Sequence, residues 1–98
     1  MSSRSPWHIY LAKKKDGEEI DWYTCNPGPV MREVLGSWFG PRIEYRIELV
    51  IEHLPSGHVA RATIIKDRRR YQAKYKRELL TLEATAKMMK EELRLHGR

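Results

Sequence analysis

The chain has 98 residues, 41% of them hydrophobic and 33% charged, with a formal net charge of +6 and one cysteine. That supplies apolar material for one modest core, so a single domain over residues 1–98 is expected. A lone cysteine excludes an intramolecular disulfide. The N-terminus lacks the apolar region of a signal peptide, and no apolar run nears the ~20 residues that span a bilayer, so a cytoplasmic protein without membrane attachment is expected.

Residues 7–25 read as a β-hairpin around Asp16-Gly17, a dipeptide that tolerates the positive φ angles of a tight turn. A two-residue loop there predicts Ile9 and Leu11 opposite Thr24 and Trp22 on a core face. Tyr10 then meets Tyr23, and Lys14 meets Glu19. Lys13, Lys14 and Lys15 are followed at once by Asp16, Glu18 and Glu19, which predicts a self-neutralised tip.

A short helix follows. Pro29 suits its first position, Gly40-Pro41 suits its stop, and Met31, Val34, Leu35, Trp38 and Phe39 form one apolar stripe. The next stretch alternates strictly, with Ile43, Tyr45, Ile47, Leu49 and Ile51 on one face. A two-residue loop at Ser56-Gly57 would set Leu49 against Ile64 and Ile51 against Ala62. It would also align Glu52 with Arg61, Arg46 with Asp67 and Glu44 with Arg69.

The last segment, rich in Glu, Lys, Leu, Ala and Met, predicts a long helix from about Tyr71 to Leu95. Tyr75, Leu79, Leu82, Ala86, Met89 and Leu93 mark a heptad seam. Most of such a seam covers the chain's own sheet. A helix of ~25 residues would outrun that sheet, so Leu82, Met89 and Leu93 are candidates for a homodimer interface. The order is ββαββα and the expected class is α+β, one antiparallel sheet with both helices on one side.

Charge is the most informative feature. Residues 66–77 hold seven bases (Lys66, Arg68, Arg69, Arg70, Lys74, Lys76 and Arg77) against Asp67 alone, so the rest of the chain carries twelve of each sign. Cations at the start of a helix oppose its dipole, which suggests charge kept for binding rather than folding. These residues, with Tyr71 as a stacking ring, are the candidate contacts to DNA or RNA. The alternative is a small inhibitor or regulator that docks the same segment on an acidic protein surface.

Catalytic signals are weak. His53 and His58 flank a turn without a third metal ligand. The first hairpin's register places His8 opposite Cys25, the one pairing with nucleophilic chemistry. Asp21, Glu44 and Arg46 follow the acidic-acidic-basic order of some metal nucleases, but the strand carrying Glu44 alternates acids and bases throughout. A small RNase toxin or nuclease is therefore the third reading, resting on size and charge. No catalytic residue, metal or cofactor is expected.

Overall fold

A computed structural model describes residues 5–24, 29–40 and 45–96. Its elements are β1 (Trp7–Lys15), β2 (Glu18–Thr24), α1 (Pro29–Trp38), β3 (Arg46–His53), β4 (Val59–Asp67), β5 (Arg70–Tyr75), β6 (Glu78–Thr81) and α2 (Leu82–His96). The six strands make one antiparallel sheet in the order β2-β1-β3-β4-β5-β6. This is the expected α+β class. Ile9, Leu11, Leu49, Ile51, Ala62, Ile64, Ala73 and Tyr75 alternate onto one face of the sheet. Met31, Leu35 and Phe39 from the first helix and its end join Leu82, Ala86, Met89 and Leu93 from the second against that face. Each fully buried aliphatic side chain contributes about 1.5–3 kcal/mol, so both helices are held by the same core.

Three expectations are corrected. The long helix begins at Leu82, and residues 70–81 form β5 and β6 instead. Tyr71, Ala73 and Tyr75 turn to the helix side while Arg70, Gln72 and Lys74 turn away, a period of two that overrides the helix-favouring composition. The basic segment is therefore the β4–β5 hairpin with the turn after it. It does not start a helix, and the dipole argument falls with that placement.

The first hairpin follows its expected register only near the turn, with Lys14 opposite Glu19 and Lys15 opposite Glu18. Beyond it Ile20 is an extra residue, and Lys13 pairs with Asp21, Leu11 with Tyr23 and Ala12 with Trp22. Such a bulge turns all later side chains over. Trp22 consequently stands on the face away from the helices and is 57% exposed.

The second hairpin is shifted by two residues, so its faces are kept but its partners change: Leu49 faces Ala62 and Ile51 faces Ala60. The loop is longer than two residues. The amide of Gly57 donates to the His53 carbonyl at 2.7 Å, and that of His53 to the His58 carbonyl at 2.9 Å. Arg61 reaches Glu48 at 3.4 Å, beside Lys14 at 3.2 Å, rather than Glu52. Asp67 faces Arg70 rather than Arg46.

Leu82, Met89 and Leu93 are 2%, 0% and 5% exposed inside the chain's own core. These three side chains pack into the chain's own core. No helix among the described residues is long and apolar enough to cross a membrane.

Candidate nucleic-acid interface

Strand direction decides where the cations meet. The β1–β2 turn, the start of β3, the β4–β5 turn and the start of α2 all fall at one end of the sheet, because Lys14 pairs with Arg46, Asp67 with Arg70 and Gln72 with Thr81. Lys66, Arg68, Arg69 and Arg70 thus share an end with Lys14, Lys15 and Arg46. From β1 to β5 is three inter-strand steps of ~4.8 Å, about 14 Å.

The tip of the rim is unusual in its backbone. Arg68 and Arg69 form a two-residue connection, and Arg68 adopts a φ of 57°. That left-handed conformation crowds a β-carbon and costs about 1–2 kcal/mol in any residue but glycine, with asparagine and aspartate best able to bear it. Among the described residues no carboxylate pairs with Arg68, Arg69 or Arg70 within 4.0 Å. Charge and strain coincide here without a folding benefit.

The other lysines are engaged. Lys14 pairs with Glu48 at 3.2 Å. Lys13 lies 4.5 Å from the Tyr45 ring centre and 5.6 Å from that of Trp38, and Lys15 lies 5.9 Å from Tyr45. Lys66 lies 5.9 Å from the Tyr71 ring. Tyr71 is half-buried against Phe39, with ring centres 5.8 Å apart, and it also lines the groove beside Arg69 and Arg70.

The remaining predicted contacts separate. Lys76 and Arg77 form the turn at the opposite end of β5, and Lys76 pairs with Glu92. Lys74 points from mid-strand onto the face without helices. The fold adds one cation that sequence reasoning missed. Arg32 of α1 lines a groove of about 300 Å³ together with Arg69, Arg70, Tyr71, Gln72, Thr81 and Glu83. Nothing in the spacing of Arg32 announces this. Arg46, passed over above, belongs to the rim through its pairing with Lys14.

Glu83 is the resident acid of that groove. Its own backbone amide in the first turn of α2, and then the Arg32 guanidinium, hold its carboxyl below the usual range. Thr81 caps the same helix, its hydroxyl accepting from the Ala84 amide at 3.2 Å. No family model, curated protein or solved structure matches the chain.

The catalytic alternatives gain no support. Cys25 and Glu44 lie outside the described residues, and His8 faces Glu52, 3.5 Å from its carboxylate. His53 bonds Ser56 at 2.7 Å and stacks near Trp7, while Ser56 also accepts from the His58 amide, which makes both histidines parts of a turn. Among the described residues no three His, Cys, Asp or Glu side chains converge on a common point.

Proposed function

We propose that the protein is a nucleic-acid-binding protein, and that the basic end of its sheet grips the phosphate backbone of DNA or RNA. The observation that carries the reading is the tip itself. Of three consecutive arginines, Arg68 and Arg69 form a strained two-residue connection, Arg68 with a φ of 57°, Arg70 opens β5, and none is paired with a carboxylate among the described residues. Glycine or asparagine would close this turn at lower cost, so a role outside folding supplies the reason for arginine. Arg32, Arg46 and Lys66 extend the same positive rim. With Tyr71 half-buried against Phe39, recognition would rest mainly on phosphate charge.

Salt dependence tests this directly. Four phosphate contacts on a duplex give a log–log slope near −3.6, a loss of about 100-fold between ~50 and ~200 mM salt. Replacing Arg68, Arg69 and Arg70 together by alanine should flatten the slope by up to ~3 and leave circular dichroism unchanged. Replacing Lys76 and Arg77, at the far end of β5, should change it by well under 1. A triple variant that binds as well as wild type overturns the proposal. So does a wild type that binds neither DNA nor RNA at ~50 mM salt, and an acidic protein surface would then be the partner to seek.

A further inference from the structure

The sheet face that neither helix covers carries a second feature, unrelated to the arginines. Tyr10 of β1 stands beside Trp22 of β2, ring centres 6.2 Å apart at 72°, and beside His8 at 5.1 Å and 39°. With Glu19 and Glu52 these rings line a cavity of about 220 Å³. Trp22 forms its outer wall, more than half exposed, because the extra residue Ile20 has turned it to this side. Burial raises the pKa of the Tyr10 hydroxyl, Arg61 opposes that, and the fields of Glu19 and Glu52 reinforce it. Both carboxylates therefore act on the same ring.

The geometry points to a binding site for a quaternary ammonium head group, such as the trimethylammonium of a choline compound or of a permethylated lysine. Ring faces carry the negative end of the aromatic quadrupole, and two carboxylates add net negative charge. Small hard metal ions need six or more oxygen ligands, and no third acid joins these two among the described residues. A weakly hydrated organic cation instead gains from apolar walls and charge together. The rings meet at steep angles, making a corner for a rounded head rather than a slot for a planar guanidinium. The volume falls below that of sites for drug-sized ligands, so only the head would be enclosed. Glu52 lies 3.5 Å from the His8 imidazole, and Arg61, the cation whose field opposes the two carboxylates at Tyr10, is held by Glu48 at 3.4 Å.

The test compares choline with 3,3-dimethylbutanol, its neutral isostere, by following the Trp22 indole resonance, assigned through Trp22→Phe. Choline should saturate the shift and the isostere should bind at least about tenfold more weakly, the increment of one good cation–ring contact. The Glu19→Gln/Glu52→Gln double variant should lose about tenfold or more, and so should Trp22→Ala, in which the Tyr10 ring protons of the same cavity are followed instead. Replacing Arg68, Arg69 and Arg70 by alanine should change nothing, which separates this site from nucleic-acid binding. Acetyl-trimethyllysine amide is titrated in parallel. Tighter binding than choline, lost on removal of its methyl groups, assigns the head group to a peptide, and tighter binding of choline assigns it to a small molecule. Equal affinity for choline and its neutral isostere, unchanged affinity in the double variant, or no shift with either cation overturns the inference.

Discussion

Arg32 on α1 donates to Glu83 on α2 at 2.6 Å, a polar tie between the two helices at the basic end of the sheet. Because its carboxyl is held below the usual range, Glu83 contributes stability that is present above the unfolded carboxylate pKa and is lost as pH falls through the folded value. The Glu83→Gln variant should therefore melt lower than wild type near neutrality, and the difference should shrink as pH falls below the usual carboxylate range and Glu83 is protonated. Both side chains are half-exposed, so the loss should stay under about 1 kcal/mol. Nucleic-acid affinity at low salt should rise in the same variant, since Arg32 is freed and an acid leaves the groove.

The strain at Arg68 has a measurable counterpart. Glycine there removes a conformational cost of about 1–2 kcal/mol and returns about 0.5–1 kcal/mol in unfolded-chain entropy. Arg68→Gly should raise the melting temperature by a few degrees while flattening the salt slope of binding by about 0.9. Lys76 has a φ of 56° but is paired with Glu92, so Lys76→Gly should leave stability nearly unchanged. A lower melting temperature for Arg68→Gly would show that the turn needs its arginine for folding.

These two turns also explain what could be read in advance. Asp16-Gly17 announces its hairpin by residue type, and the strict alternation of β3 announces its faces. Both helices, the antiparallel sheet and the α+β class were legible on that basis. Arg68-Arg69 and Lys76-Arg77 close turns without glycine, asparagine or aspartate at either position, so β5 and β6 were hidden inside helix-forming composition. The bulge at Ile20 left no mark either, and it decides which face Trp22 serves. The candidate site was legible as a charge cluster in one stretch of chain. Its division between two ends of the sheet, and the recruitment of Arg32, depend on strand direction.

Tyr75 gives an alkaline signature. Burial, and then its hydrogen bond to Glu92, push its hydroxyl up to about 12 from 10.0. A raised folded value means that stability is full below the unfolded pKa and is lost as pH climbs through the folded one. Wild type should lose up to about 2–3 kcal/mol between pH 10 and 12, and Tyr75→Phe should lose less over the same interval. Tyrosinate absorbance should show late-titrating rings, Tyr10 among them, and the latest should disappear in that variant.

Met89 tests the filled seam. It is fully buried between α2 and the sheet, so Met89→Ala should cost about 2–5 kcal/mol. The cost should be the same at every protein concentration, because no subunit contact is being removed. A destabilisation that fades as concentration rises would reopen the interface reading of this helix face.

A sheet of six strands has two free edges, and each is a template on which further copies of the chain could polymerise. One edge, β6, is four residues long and runs directly into α2, too short to nucleate much. The other, β2, exposes Ile20, Trp22 and Tyr23, the composition of a sticky strand. Glu18, Glu19 and Asp21 set like charge against like charge in any antiparallel self-pairing, and the extra residue breaks the ladder a second copy would have to match. This guard is partly electrostatic, and at ~1 M salt the screening length shrinks to about 3 Å. A high-salt wash meant to strip polyanion from the arginine end would therefore also lift the charge barrier along the β2 edge, leaving the extra residue Ile20 as its remaining guard.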